Sequence, residues 1–193
     1  MDVHVEKFLK KFMDLYNKIV EYVDQSFQGK QKPHFERTVF WYKKFFPQAT
    51  EAHKIAAYSH DIERAFRIEG KIVPENYLDP IFLKNHQEKG AQIISDFLRK
   101  ENISEEFIKK TFHLISKHEV GGDEEQNALM DADSVSFFET NAEMFVNKKA
   151  PIEGYEKVKE KLDWMFNRIN IEERKQFARE NYSKWSKELE KYK

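Results

Sequence analysis

Apolar residues recur at three- and four-residue intervals through most of the chain, which is the spacing of helices that bury one face. The first such stripe comprises Val5, Phe8, Leu9, Phe12, Leu15, Tyr16, Ile19 and Val23. Later stripes predict helices over residues 34–46, 50–67, 81–100, 104–119, 123–145, 151–167 and 171–192. No segment of any length alternates apolar and polar residues as a half-buried strand does. The pattern therefore predicts an all-α fold.

Glycines, prolines and a capping residue mark the boundaries between these helices. Gly29 ends the first helix, and Thr50 is a suitable N-cap for the third. Residues 68–80 carry one glycine and two prolines, so we expect this segment to be the least regular. No repeat or low-complexity linker divides the chain, which predicts one domain over residues 1–193.

Composition narrows the possible partners. The 33 basic and 34 acidic residues give a net charge of −1, so no overall attraction to nucleic acid or to an anionic membrane is expected. The absence of cysteine excludes disulfides and thiolate metal ligands. No apolar run has the length of a membrane span or the character of a signal peptide. We therefore expect a cytoplasmic protein.

The chain has seven histidines, and two of them have informative positions. His60 and Asp61 are adjacent near the end of a predicted helix, where side chains diverge by about 100° per residue. The pair can flank a common ion only if the helix ends or distorts there. His118 continues an apolar stripe and is expected to face inward. The histidines expected at the surface are His4, His53 and His113, with a supporting role beside the metal ligands as the alternative for His53.

Asp133 lies within the apolar stripe of its own predicted helix. It aligns with Leu129, Met130 and Phe137, so its carboxylate is expected in the interior. A buried carboxylate is costly unless a cation or hydrogen-bond donors compensate it. Asp131 is the alternative, because its side of the helix is also partly apolar. The nearby acids expected at the surface are Asp123, Glu124 and Glu125.

Together these residues resemble the motifs of the HD-domain superfamily of metal-dependent phosphohydrolases. The matching elements are a histidine that opens a helix (His34), the doublet His60-Asp61, and the aspartate of Asp131-Ala132-Asp133-Ser134. Two further stretches agree with the family, 85–91 with its His-x-x-x-Gly-Ala element and 115–119 with its terminal His-Glu. The resemblance covers about residues 34–139, and helices 1–28 and 151–192 flank it.

The resemblance implies a single-domain HD-type helical bundle with a metal site. The implied ligands of one divalent ion are His34, His60, Asp61 and Asp133. His86 and His118 would border the substrate, or hold a second ion as in two-metal members of the family. Imidazole and carboxylate ligands suit Mn²⁺, Fe²⁺, Co²⁺, Ni²⁺ or Zn²⁺ without choosing among them, and Mg²⁺ stays open.

The expected chemistry assigns roles to a few more residues. Asp61 would orient the attacking water, and Arg64 would pair with a substrate phosphate through its planar guanidinium. For Arg64, a surface salt bridge to Glu63 or Glu69 is the alternative. The candidates for balancing phosphate charge are Lys84, Lys117 and His118, with a solvated surface role as the alternative for the lysines.

Three branches of that superfamily are disfavoured by departures in this chain. Ile62-Glu63-Arg64 follows the doublet, without the Gly-Lys of many members and without a glutamate three residues after the aspartate. This disfavours the deoxynucleotidases and ppGpp hydrolases, and the missing Gly-Tyr-Pro tripeptide disfavours the cyclic-di-GMP phosphodiesterases. The leading hypothesis is a metal-dependent phosphohydrolase, either a phosphomonoesterase or a phosphodiesterase, acting on a small phosphate ester with a nucleotide as the expected substrate.

Two alternatives from other functional classes stay open. One is a non-catalytic module of the same fold that binds a metal or a nucleotide. The other is a helical interaction protein whose histidines and aspartates match the motifs by accident. Its docking surface would include the aromatic residues of the charged C-terminal helices, unless these close the core: Trp164, Phe166 and Trp185.

Overall fold

The computed structural model describes residues 3–67 and 78–193, with side chains from Asp14 onward, and every regular element within these ranges is helical. The α-helices are α1 (Val3–Ser26), α2 (Lys32–Phe45), α3 (Glu51–Ser59), α4 (Pro80–Lys100), α5 (Glu105–Ile115), α6 (Glu124–Thr140), α7 (Ala142–Met144), α8 (Ala150–Glu153), α9 (Tyr155–Asn167) and α10 (Glu172–Leu189). Short 3₁₀ turns span Ile62–Phe66 and Glu190–Tyr192, and a π-helical turn spans Phe145–Lys149. The predicted all-α fold is confirmed.

Helix starts follow the local sequence. Thr50 caps α3 as predicted, because its hydroxyl and the His53 side chain form a capping box across the first turn. Asp123 caps α6 in the same way with Gln126. The turn between α1 and α2 includes Gly29 at φ 72°, a left-handed conformation that glycine adopts without strain.

The helices surround a single apolar core with α6 at its centre. This helix packs most extensively against α2 and also contacts α5, α9 and α10, while α3 packs on α1, α2 and α5. As a result, every residue from 128 to 138 is buried. The three C-terminal aromatic residues pack against the core rather than forming an open docking face: Trp164, Phe166 and Trp185.

Three predicted helices end earlier than their apolar stripes suggested. The helix predicted over 50–67 ends at Ser59, the one over 104–119 ends at Ile115, and the one over 123–145 ends at Thr140. Periodicity could not locate these ends because the burial pattern continues through the turns that follow. The ending at Ser59 frees His60 and Asp61 from the 100° divergence that a continuous helix would impose.

Some predictions lie outside the described residues. Residues 68–77 of the segment expected to be irregular are not described, nor are the side chains of His4 and of the first apolar residues of α1. Among the described helices, none combines the length and the apolar character needed to cross a bilayer.

Candidate metal centre

Five separate segments bring histidines and carboxylates together beside α6. His34 lies in the first turn of α2, and His86 lies in α4. The turns after α3 and α5 supply two adjacent pairs, His60-Asp61 and His118-Glu119, and α6 supplies Asp133. All seven side chains are buried, and they divide into two groups. Within each group, the candidate ligand atoms all lie within 4.8 Å of one another.

The first group consists of His34, His60 and Asp133. One oxygen of the aspartate faces both rings, with Asp133 Oδ1 at 3.1 Å from His34 Nε2 and 3.4 Å from His60 Nε2. The rings themselves stand edge to face at 5.4 Å between centroids. Two imidazole nitrogens and a carboxylate oxygen thus converge on one point.

The second group consists of Asp61, His86, His118 and Glu119. Asp61 Oδ1 lies 3.0 Å from His86 Nε2 and 3.7 Å from His118 Nε2. Glu119 Oε1 approaches the same two nitrogens at 3.6 and 3.8 Å. The other oxygen of Asp61 lies 3.9 Å from His60 Nε2, so Asp61 borders both groups.

Helix C-termini fix the orientation of two of the histidines. The last carbonyls of a helix have no intrahelical partner, and here they accept from imidazoles: Ala57 O from His60 Nδ1 at 2.9 Å and Ile115 O from His118 Nδ1 at 2.8 Å. Because a carbonyl only accepts, each Nδ1 carries the hydrogen. In the neutral ring Nε2 then presents its lone pair to the cluster, where it has no hydrogen-bond partner.

Side chains orient the other two histidines. Ser136 donates its hydroxyl hydrogen to the backbone oxygen of His34, so its Oγ accepts from His34 Nδ1 at 2.7 Å. His86 Nδ1 donates to Glu63 Oε2 at 2.7 Å. In all four histidines Nδ1 is therefore held by an acceptor and Nε2 points into the cluster. Outer partners of this kind set the tautomer of metal-binding histidines in proteins.

The charges in the cluster suit a divalent cation. Burial raises the pKa of Asp61, but Arg64 and His60 oppose this effect and hold that pKa well below its usual range. Burial likewise raises the pKa of Glu119, and Arg168 and Lys161 bring it down to about 2. Both carboxylates are therefore ionised at neutral pH, as metal ligation requires.

The histidine pKa values diverge according to their neighbours. Burial lowers the pKa of His60, but the charges of Asp61 and Asp133 outweigh burial and raise it to about 9. Burial lowers the pKa of His118, and its carboxylate neighbours do not offset this. An ion bound at His60 would have to displace a proton, as is general for imidazole ligands.

The donor set and the unpartnered nitrogens both fit a metal ion. Buried polar atoms are nearly always hydrogen-bonded, yet Nε2 of His60 and of His118 has no such partner among the described residues. A cation held by each group would satisfy the lone pair that faces it. The buried cluster of histidine, aspartate and glutamate could therefore bind a metal ion, and its ligands suit a divalent transition metal.

Arg168, which follows α9, joins the two groups. Its Nη2 donates to Asp133 Oδ2 and its Nη1 to Glu119 Oε2, while its Nε donates to Ser134 Oγ at 2.7 Å. These are the carboxylate oxygens that face away from the histidines. Arg168 therefore holds both carboxylates without occupying the oxygens that face the Nε2 atoms.

A small cavity of about 10 Å³ adjoins the cluster, with room for about one water molecule. Three carboxylates line it together with three basic side chains: Asp61, Glu119 and Asp133 with Arg64, Lys161 and Arg168. The Arg64 side chain is 36% exposed and pairs with Asp61 at 3.0 Å, so Arg64 lies between the cavity and the solvent.

The structure locates the other predicted site residues as follows. Arg64 pairs with Asp61 and Glu119 instead of with Glu63, whereas Glu69 lies outside the described residues. Asp131 is buried away from both groups and pairs with Arg174 at 2.9 Å, consistent with the preference for Asp133. The lysines proposed for phosphate contact are both exposed: Lys84 and Lys117.

Two of the histidines expected at the surface, His53 and His113, lie within the described residues and differ in burial. His113 is exposed and bonds to Asp123 at 2.6 Å, as the prediction requires. His53 is buried, so its predicted surface position is wrong. Its ring packs against Tyr42 and Phe46 while Nδ1 serves the N-terminus of α3, and a capping role therefore explains its burial.

Sequence reasoning missed four residues of the centre: Glu63, Glu119, Lys161 and Arg168. Glu119 had a signal, since it directly follows an inward-facing histidine in a stretch that matched the family pattern. For Glu63, the sequence suggests a salt bridge to Arg64 and gives no signal for its contact with His86. Lys161 and Arg168 belong to a segment rich in charged residues, whose pattern is typical of a solvated surface.

The Ser136–His34 contact leads to a first prediction. Replacing Ser136 with alanine should weaken metal binding by about 10- to 100-fold, because His34 loses the acceptor that fixes its ring. Titration with Mn²⁺ or Co²⁺ would measure the change. Ser95→Ala is the matched control, since Ser95 is equally buried and its hydroxyl donates to Ala91 O, away from both ligand groups. Equal metal affinity in both variants would contradict the role of Ser136.

Among the comparisons with known proteins, a family pattern is the one that matches this chain. No curated protein matches the chain significantly, and no solved structure does. A family pattern covers residues 17–190, a span that includes both ligand groups as well as Lys161 and Arg168. The chain belongs to the family described as a domain of unknown function, DUF4202.

Proposed function

We propose that the protein is a metal-dependent phosphohydrolase that acts on a small phosphate ester, with a nucleotide as the expected substrate. The observation that carries this proposal is the convergence of four Nε2 atoms and three carboxylates beside a cavity lined by basic side chains. Ligands of this type suit a divalent transition metal, and guanidinium groups suit phosphate oxygens. The resemblance to the HD-domain superfamily supports the same reaction.

The proposed metal ligands follow from the two groups. His34, His60 and Asp133 would hold one ion, and Asp61 would complete its ligand set through the oxygen that faces His60. The other oxygen of Asp61 faces the second group, which would hold a second ion. Mn²⁺, Fe²⁺, Co²⁺, Ni²⁺ and Zn²⁺ are the expected candidates, and Mg²⁺ is a further one.

The protein side chains would divide the remaining work. A divalent ion supplies polarisation of a phosphoryl oxygen and lowers the pKa of water from about 15.7 towards about 7. Asp61 would orient the attacking water, because its carboxylate borders both groups. Arg64 would bind the phosphate, since its side chain is about one-third exposed and its guanidinium contacts the carboxylates of the cluster. His86 and His118 would border the substrate, or hold the second ion.

One observation favours a second candidate, a non-catalytic metal- or nucleotide-binding module of the same fold. The cavity beside the cluster holds about one water, which is far less than a phosphate ester needs. Catalysis thus requires a side chain at the cavity to move, and Arg64 is the one with solvent access. A module with a purely structural metal would require no such motion.

Metal removal tests the proposal directly. The purified protein should contain a transition metal by elemental analysis and should release phosphate from at least one member of a panel of nucleotides and p-nitrophenyl esters. Chelator treatment should abolish the release, and one of the six candidate ions should restore it. Nucleotide binding without release, seen as a raised melting temperature, would favour the module instead. Protein free of metal and unchanged by chelator would favour an interaction protein.

A further inference from the structure

Lys161 in α9 is a buried lysine without an anionic partner. Its relative exposure is 5%, and within the described part of the chain its Nζ forms neither a hydrogen bond nor an ion pair. The Lys161 ammonium lies over two aromatic rings, with Nζ 4.4 Å from the ring centre of Trp164 and 6.0 Å from that of Phe137. A buried ammonium without an anion is costly, and lysine is rarely buried unless paired.

Lys161 lies where its positive charge could bind an anion. It lines the same cavity as Asp61 and Asp133, next to both candidate ligand groups. The other two basic residues of the cavity are already engaged with carboxylates, Arg168 with Asp133 and Glu119, and Arg64 with Asp61. Within the described part of the chain, Lys161 is therefore the basic residue of this cavity that is not already paired with a carboxylate.

The ammonium remains charged at neutral pH. Burial lowers the pKa of Lys161 to about 8, with repulsion from Arg168 and Arg64 adding to burial and the charge of Glu119 opposing it. Protonated lysine offers three donors from a compact point charge, which matches a phosphate oxygen. An anion delivered to this cavity would remove the cost of the isolated charge.

Building on the proposed phosphohydrolase function, we propose that Lys161 binds the terminal phosphate of the substrate and that the substrates are phosphate monoesters. Lys161 lies deeper than Arg64, with 5% against 36% exposure, so a ligand entering past Arg64 would place its innermost atoms at Lys161. A monoester has one substituent, which can point to the solvent, while its three free oxygens face inward.

The charge of the phosphate group also favours a monoester over a diester. A monoester phosphate carries about −1.5 to −2 at neutral pH and offers three strong acceptor oxygens. A diester carries a single negative charge and has two free oxygens. An additional unpaired cation beyond the metal ligands therefore suits the monoester better.

Lys161→Met tests this proposal with Mn²⁺-loaded full-length protein. The kcat/KM for p-nitrophenyl phosphate should fall about 10- to 100-fold, as expected for the loss of a charge-assisted hydrogen bond. Inorganic phosphate, measured by calorimetry, should bind more weakly by a similar factor. The much lower rate on bis(p-nitrophenyl) phosphate should fall by a smaller factor, because a diester carries a single negative charge. Methionine fits the apolar surroundings, so the melting temperature should be retained.

Lys159→Met is the matched control on the same helix, because Lys159 pairs with Asp163 and does not line the cavity. It should leave phosphate binding and monoester turnover unchanged. Equal phosphate binding by wild-type protein and Lys161→Met, or a preference of wild-type protein for the diester, would overturn the inference while leaving the phosphohydrolase function intact. If neither ester is hydrolysed, the proposed function fails, and loss of phosphate binding in Lys161→Met alone decides whether Lys161 is an anion site.

Discussion

Replacing Asp61 with asparagine should reduce metal-dependent phosphate release by about 10³-fold or more, while the helical content stays unchanged. Asp61 is the carboxylate that borders both ligand groups, and asparagine keeps its shape but removes its charge. Metal-ion catalysis stabilises the transition state by several kcal/mol, and each 1.4 kcal/mol corresponds to about tenfold in rate. The activity assay, circular dichroism and elemental analysis would together measure the effect.

Asp131→Asn provides the matched control for this substitution. Asp131 is also a buried aspartate paired with an arginine, but it lies outside both ligand groups. Its replacement should lower stability and leave the metal content and turnover of the folded protein unchanged. A folded Asp61→Asn protein that keeps more than about a tenth of wild-type activity would refute the proposed mechanism.

The second large effect is expected at Arg168. Replacing it with methionine should lower the free energy of unfolding by about 3–5 kcal/mol, because Asp133 and Glu119 would lose their buried cationic partner. Metal affinity should also fall by about 10- to 100-fold, since both carboxylates lose the contact that orients them. Denaturant unfolding and metal titration would measure the two effects separately.

The comparison with Arg174→Met separates orientation of the ligands from general stability. Arg174 pairs with the buried Asp131, and it also donates to the Phe45 carbonyl at 2.9 Å. Its loss should destabilise the fold without changing metal affinity. If Arg168→Met binds metal as tightly as wild-type protein, Arg168 is a structural ion pair and does not orient the ligands.

Local sequence patterns were sufficient to predict the helices and several buried polar residues. Asp133 was expected in the interior because it shares a stripe with Leu129 and Phe137, and the structure buries it. The same reasoning predicts that His118 faces inward, and the structure buries it as well. The fold class also followed, because three- and four-residue periodicity persists through nearly the whole chain.

The remaining features depend on tertiary contacts that one segment of sequence does not encode. α9 contains acids and lysines at spacings that suggest a solvated face, yet Lys161 lies in the interior because α9 packs on α6. Arg168 becomes part of the centre only where the turn after α9 reaches the carboxylates of two distant segments. The grouping of Asp61 with His86 likewise depends on how α4 packs beside the turn after α3.

The central placement of α6 has a consequence for the timing and persistence of ligand binding. The candidate ligands and their arginine come from segments spread between residues 34 and 168, so no short fragment contains a complete set. They meet only against a helix enclosed on several sides, the kind of element that usually opens last when a protein unfolds. Capture of an ion would therefore mark completion of folding, and the bound ion would in turn oppose opening of the bundle.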